Sequence, residues 1–268
     1  MRLAVVGHVE WVRFVRLPRV PRQGEIVAAE ATWEEPAGGG GVTAVRFAGF
    51  AGEATLFTAL GDDDAGHRAK EELEALGVRV HAAFRDEPQR RAFTHVDAEG
   101  ERTITTIGPR LDPSADDSLP WEDLADADGV YFTAGDRGAL AAARRARVLV
   151  STSRILPFLE EADVGLDAIV GSARDPSEAY RPITPAPGLV VRTEGAGGGR
   201  YETAEGATGR YEAAAAPGPV VDSYGAGDSF AAGLTIGLAS GEDIGASLSM
   251  AAHHGAEALT RRGAHGEP

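Results

Sequence analysis

The chain has 268 residues, 41 acidic against 26 basic side chains and a formal net charge of −15, a balance that opposes nonspecific attraction to nucleic acid or anionic membrane and favours a small-molecule partner. Cysteine is absent, which excludes a disulfide framework, a thiolate metal site and a cysteine nucleophile. A chain of this length can bury one large α/β core, and its 35 glycines are spread among apolar strands and helices instead of gathering in a tail.

The first apolar run, Leu3 to Gly7, has Glu10 close behind it and reads as an opening strand, not a signal peptide. From Glu53 onward short apolar runs alternate with amphipathic stretches. Strands are predicted over 53–60 and 78–84, with a helix over 64–76 between them that carries Ala65, Ala69, Leu73 and Leu76 on one face and stops at Gly77. Residues 92–96 and 102–107 form a hairpin turned at Gly100. Further strands follow at 129–133, 148–151, 167–170 and 189–192, an alanine-rich helix at 137–146, and two closing helices at 226–238 and about 244–261. This rhythm predicts a single α/β domain over residues 1–268 around a mostly parallel sheet. The segments at about 10–34 and 84–107 break it with extended structure and are assigned to a small β lid. A loose tip is expected after Arg262. No apolar stretch is long enough to span a bilayer, so the expected location is cytoplasmic.

The most informative stretch is VDSYGAGDSFAAGL near the C-terminus. Gly225, Ala226 and Gly227 let the backbone turn tightly and bring free N–H groups to a helix start, where amides and dipole favour a phosphate. Asp228 sits in the first turn beside that anion hole. A carboxylate there can take the proton of an acceptor hydroxyl while the amides hold the transferring phosphoryl group. A purely structural glycine-rich helix entry is the alternative, and the aspartates at both ends, Asp222 and Asp228, weigh against it. The stretch resembles the second signature of the ribokinase-like PfkB carbohydrate kinase family, D-T-x-G-A-G-D, with Asp228 at the position of its catalytic base. The helix dipole is expected to keep that carboxylate ionised at neutral pH.

Other segments follow the family in order. LVVRTEGAGGG resembles T-x-G-x-x-G, which in the family contacts ATP, and so points to Thr193, Gly195 and Gly198; an ordinary strand and glycine hairpin would look the same. PAGGGGVTAV resembles the first signature, whose glycines meet sugar hydroxyls, pointing to Gly39 and Gly40, with Thr43 where the family has asparagine. LGDDDAGH matches G-x-D-x-x-G through Gly61, Asp63 and Gly66, and Asp62 to Asp64 serve best as helix N-cap residues. His253 and His254 diverge on one helix and cannot easily share a metal; the likeness of that helix to the one beside adenine makes His253 a wall of the nucleotide pocket. No P-loop pattern and no strand-anchored G-x-G-x-x-G is present. The arginines at 13, 16, 19 and 22 read as a solvated lid edge.

The departures concern the acceptor. Val12 stands where family members carry the aspartate that grips two sugar hydroxyls, with Glu10 two residues earlier as a displaced carboxylate. The family's N-x-x-E, associated with magnesium and phosphate, becomes Ser172 and Asp175, so Asp175 is the metal candidate, acting through water. In VLVSTSR, Ser151 and Ser153 replace an aspartate and an asparagine. The resemblance thus implies a three-layer sandwich with a mostly parallel central sheet and a small β lid, ATP and Mg2+ as cofactors with room for a monovalent cation, and a homodimer through the lid. It implies phosphorylation of a hydroxyl on a sugar or related polyol. A nucleoside kinase of the same fold, or a catalytically silent sugar- or nucleotide-binding protein, are the alternatives.

Overall fold

The computed structural model describes residues 1–266 and builds them on a nine-stranded sheet and a separate four-stranded one. The chain opens with β1 (Leu3–Val6), leaves the large sheet for β2 (Glu10–Arg16) and β3 (Ala31–Ala37), and returns through α1 (Gly38–Ala51) to β4 (Ala54–Gly61), α2 (Asp64–Ala75) and β5 (Val78–Arg85). It leaves again for β6 (Arg91–Val96) and β7 (Arg102–Ile107). Back in the large sheet come β8 (Gly129–Phe132), α3 (Arg137–Ala143), β9 (Val148–Thr152), α4 (Leu156–Ala162), β10 (Ala168–Ser172) and β11 (Leu189–Thr193). The hairpin β12 (Gly199–Thr203) and β13 (Thr208–Tyr211) then leads to α5 (Ala226–Ala239) and α6 (Ile244–Ala258).

The large sheet runs β13-β12-β11-β10-β9-β8-β1-β4-β5, parallel except for the antiparallel pairs that add β12 and β13. Its apolar runs are continuous because both faces are covered. Leu3 and Val5 of β1, Tyr131 of β8 and Val150 of β9 point to the side of α1, α2, α5 and α6, whereas Ala4, Val6, Val130, Phe132 and Leu149 point to the side of α3 and α4. The three layers follow from that alternation. The small sheet, β3-β2-β6-β7, is antiparallel apart from the parallel pair β2–β6, and it closes over Val12, Phe14, Val42, Ala92 and Tyr224. Of the segment 10–34, only β2 and the start of β3 are strand; residues 17–30 between them form none.

Helix α5 is held rigidly because it is glycine-rich on the right face. A methyl group at Gly233 would lie 2.8 Å from Ala251 Cα, and one at Gly237 2.7 Å from Ser247 Cα, so these two positions, one turn apart, let α6 approach backbone to backbone. The expected loose tip after Arg262 is corrected for the described residues. Gly263 N donates to Asp222 Oδ2 at 3.0 Å, Ala264 N to Glu35 Oε1 at 2.7 Å, and Ala264 is 1% exposed. Two buried carboxylates need donors, and this backbone supplies them. Residues 267–268 of that tip lie outside the described residues. Among the described residues no helix is long and apolar enough to cross a membrane.

Candidate active site

The strand order reverses at β1, which has β4 on one side and β8 on the other. Open α/β sheets bind ligands in the crevice beyond the carboxyl ends of strands at such a point. Gly7 and His8 leave β1 there, Thr133 leaves β8, and the N-termini of α1 and α5 face the same crevice. The helix starts differ in their caps; α4, like α1 and α5, lacks a side-chain cap, at Ile155. Asp63, Asp136 and Asp243 cap α2, α3 and α6 through side-chain bonds to Gly66, Ala139 and Ala246 N–H groups, while α1 and α5 begin at Ala37 and Gly225 with no side-chain cap. Gly38 N donates to Tyr224 Oη at 3.4 Å, Gly40 N to the His8 carbonyl at 3.1 Å and Ala226 N to the Ser223 carbonyl at 3.5 Å, while the N–H groups of Gly39, Gly227 and Asp228 have no acceptor among the described residues and face a ligand's side of the helix starts.

The glycine run at α1 is required by closeness. Gly38 has φ 79°, and a methyl group at Gly40 would lie 2.6 Å from the His8 carbonyl oxygen. A methyl at Gly39 would lie 3.0 Å from Thr133 Oγ1 and 3.1 Å from Asp228 Oδ1. The first glycine signature and the Asp228 carboxylate thus meet in one place. Gly225 takes φ 72° against Val42, and the Cα of Gly227 faces open space with nothing within 4 Å of where a side chain would start. The mouth of α5 is open, with Asp228 half-buried at its edge.

Burial pushes the Asp228 carboxyl up to about 6 from 3.8; Arg102 and Arg154 oppose the shift, Glu178 and Glu10 add to it. Desolvation is the largest influence on this group at the helix start. A carboxyl with a pKa near 6 is still mostly ionised at neutral pH and is a stronger base than an exposed aspartate. Arg102, at the start of β7, donates to Ser223 O at 2.9 Å and Ser223 Oγ at 3.3 Å and has no carboxylate partner among the described residues.

On the acceptor side the substitutions take structural roles. Val12 is fully buried among Phe14, Val42 and Tyr224, and Thr43, also fully buried, donates through Oγ1 to the Asp228 carbonyl at 3.5 Å. Glu10 lies against Gly38 with its carboxylate 2.8 Å from Arg90 Nε; burial raises its pKa and Arg90 opposes that. His8 is held down to about 3 by burial and by Arg110, Arg90 and Arg154, so it is a neutral imidazole, and its buried Nδ1 has no partner.

On the other side of Asp228, Ser172 N at the end of β10 donates to Glu178 Oε2 at 2.7 Å, and Glu178 pairs with Arg154. Asp175 caps the short helical turn 176–178, accepting from Ser177 N at 2.9 Å and Ser177 Oγ at 2.7 Å, and touches Arg154 at 3.3 Å. Thr193 ends β11 in register with Ser172. Gly195 (φ 64°) lies under the Arg174 guanidinium, and Gly198 (φ 73°) is pressed against the Tyr211 carbonyl. His253 is exposed on α6; Gly255 of the same helix packs on the Ala226 carbonyl at the start of α5.

A family model described as "pfkB family carbohydrate kinase" matches residues 1–160 and 163–267. The chain belongs to the pfkB family of carbohydrate kinases. Among its relatives, an ATP-dependent ribose-1-phosphate kinase of Halopiger xanaduensis is 26% identical over 298 aligned positions, covering 100% of this chain and 95% of the relative. Among solved structures, an Arabidopsis thaliana ribokinase complexed with ribose and ATP superposes with a TM-score of 0.74 at 19% identity, covering 98% of this chain and 93% of the other. The adenosine kinase of Sinorhizobium meliloti does so at 0.78 and 18% identity, covering 98% and 95%. At these identities the structures establish the ribokinase fold.

The structure of this kinase brings Asp228, Gly225 to Gly227, Gly39, Gly40, Glu10 and Thr43 around one crevice, and it sets Thr193, Gly195, Gly198 and Asp175 beyond the ends of β10 and β11. The sequence carries no local signal for His8, Thr133, Arg90, Arg102, Arg110, Arg154 and Glu178. Each is a single residue at a strand end or in a connection, and only the sheet order assembles them.

Proposed function

We propose that this kinase transfers the terminal phosphoryl group of ATP to a hydroxyl of a sugar or related polyol, with Asp228 as general base and the amides of Gly225, Ala226 and Gly227 as the anion hole. The observation that carries the reading is the approach of the two uncapped helix starts, with Gly39 against Asp228 Oδ1 and open space above Gly227. The acceptor oxygen forms a bond to the terminal phosphorus as the bond from that phosphorus to the bridging oxygen breaks. The hydroxyl proton goes to Asp228, and ADP leaves. The α5 amides and Arg102 stabilise charge on the phosphoryl oxygens.

Gly39 and Gly40 present backbone to the acceptor, bordered by Glu10, with Thr43 fixing the Asp228 backbone from behind. Thr193, Gly195 and Gly198 border the nucleotide, whose far wall is His253. Asp175, with Glu178 beside it, would hold a magnesium ion through water. Bound there, magnesium supplies charge neutralisation between the phosphates. The small sheet acts as the lid, and its edge strand β7, exposed at every residue including Ile107 at 56%, supports pairing with a second copy. The relative's action on ribose 1-phosphate and the bound ribose and ATP of the Arabidopsis enzyme agree with this assignment of donor and acceptor.

The test is ADP release from ATP across sugars, sugar phosphates and nucleosides, with Asp228→Asn alongside. The variant is expected to lose about a hundred- to ten-thousand-fold in kcat while calorimetry shows ATP still bound. Undiminished turnover in Asp228→Asn removes the assignment.

A further inference from the structure

The main chain that leads into α5 belongs to no helix or strand over residues 219–223 and is held from two sides. On one side, Val221 N and Asp222 N donate to the Leu259 carbonyl just past α6 at 2.8 and 3.3 Å, and the buried Asp222 carboxylate accepts from Tyr224 N at 2.7 Å and Gly263 N at 3.0 Å. On the other side the small sheet reaches the same residues. Arg16, the last residue of β2, donates through Nη1 to the Val221 carbonyl at 3.2 Å, and Arg102, the first of β7, donates through Nη1 to the Ser223 carbonyl at 2.9 Å. The Gly100 carbonyl, in the turn between β6 and β7, accepts from Ser223 N at 2.9 Å.

Strand register explains why two arginines arrive together. Arg16 pairs with Val96 of β6 and Val96 pairs with Arg102, so the three form one row across β2, β6 and β7 with the fully buried Val96 in the middle. Directly paired residues share a face of the sheet. Both guanidinium groups are therefore sent the same way, to the carbonyls on either side of Asp222. Gly100 is required where it stands, since its φ is 77° and a methyl group there would lie 3.1 Å from the Val221 carbonyl oxygen. Neither Arg16 nor Arg102 has a carboxylate partner among the described residues; the carbonyls of Val221 and Ser223, with the Ser223 hydroxyl, are what they hold. Hydrogen bonds from a charged donor are the stronger kind.

We infer that Arg16 and Arg102 are positioning residues: from the small sheet they clamp the carbonyls that flank Asp222, and so set the direction in which the Gly227 and Asp228 N–H groups point. The start of α5 is aimed at a phosphoryl group only while the β6–β7 hairpin is seated on residues 221–223. This rests on the kinase reading above and adds to it a device that ties the anion hole to the small sheet. Arg16 reaches Val221 alone and has no other part in the site, so it carries the test.

The experiment combines steady-state kinetics, with the acceptor that gives the fastest ADP release in the panel above, and hydrogen exchange of the full chain read by mass spectrometry. Arg16→Gln is expected to lower kcat about tenfold to a hundredfold while the KM for ATP changes less than about twofold. Amides within 221–230 should exchange about tenfold faster, and those of β8 and β9 at the parent's rate. Arg16→Lys, which keeps a cationic donor near the Val221 carbonyl, should recover most of the lost kcat, a rescue that loss of packing alone would not show. Arg22→Gln, in the exposed connection between β2 and β3, moves neither readout. If Arg16→Gln fails to fold, Gly100→Ala, which presses the hairpin turn off Val221, decides by the same two measurements. Unchanged exchange over 221–230, or faster exchange with kcat unchanged, overturns the inference and leaves the kinase reading standing. Absence of ADP release from the parent with every acceptor removes the kinase reading, and exchange then decides the clamp alone.

Discussion

The two sides of the crevice are built from different material. Around Asp228 the surface is largely backbone: the starts of α1 and α5, which lack side-chain caps, and glycines whose replacement would crowd Thr133, Asp228 or the His8 carbonyl. On the side of Glu10 it consists of side chains, with Val12 sealed in an apolar cluster and Glu10 paired with Arg90. Backbone recognition of a phosphoryl group suits a donor common to the family. Side-chain recognition is free to change with the acceptor, because one substitution alters it without disturbing a helix start.

The largest effect that could break this contrast is at position 12. Val12→Asp places a carboxylate at a fully buried site among Phe14, Val42 and Tyr224, and is expected to destabilise the protein by about 3 kcal/mol or more without raising turnover of ribose. Urea unfolding and the acceptor panel measure both. A variant that folds normally and phosphorylates ribose faster than the parent would show that the side of Glu10 differs from a ribose site by one residue only. Next in size is Gly39→Val. Its branched side chain enters the space between Thr133 Oγ1 and Asp228 Oδ1, so kcat should fall about a hundredfold with the melting temperature changed little. Retained kcat would mean that the two helix starts do not act together.

A smaller effect separates the proposed base, Asp228, from its surroundings by pH. Because the Asp228 carboxyl stands at about 6 in the folded protein and 3.8 unfolded, the folded state holds the proton more tightly. Its contribution to stability is full below pH 3.8 and is lost as pH rises through about 6. At higher pH the buried charge is a cost, discounted by partial exposure to the order of 1–2 kcal/mol. Asp228→Asn is therefore expected to be more stable than the parent near pH 8, with the gain shrinking as pH falls through 6 towards 3.8. In the parent, kcat/KM should decline about tenfold per pH unit below 6. A variant less stable than the parent near pH 8 would contradict the desolvated carboxylate.

Much of the corner around Asp228 is legible in the sequence, because its parts are contiguous: Gly225 to Asp228 in one run and the glycines of α1 in another, and so is the Asp63 N-cap, which accepts from Gly66 N. The large sheet is equally legible, since strands covered on both faces leave unbroken apolar runs. The ion pairs beside that corner are not: Arg90 with Glu10, and Arg154 with Asp175 and Glu178, are ordinary charged residues that meet only once the strands are assembled. The Asp228 proton affinity is also beyond local reading, because the burial that raises it exists only in the assembled fold. Asp222 and Glu35 anchor 263–266 for the same reason: their need for donors appears only once they are buried.

The smallest effect sharpens the comparison within a single helix. Gly49, like Gly39, belongs to α1, but it is exposed and nothing lies within 4 Å of where its side chain would begin. Glycine in a helix interior costs about 0.5–1 kcal/mol relative to alanine through backbone entropy. Gly49→Ala should therefore stabilise the protein by that amount and leave kcat and both KM values unchanged, measured by denaturant unfolding and steady-state kinetics. The same helix then contains glycines that serve the crevice and one that serves nothing there. If Gly49→Ala also lowers kcat, the flexibility of α1 as a whole, and not the close approach at its first turn, is what the glycine run supplies.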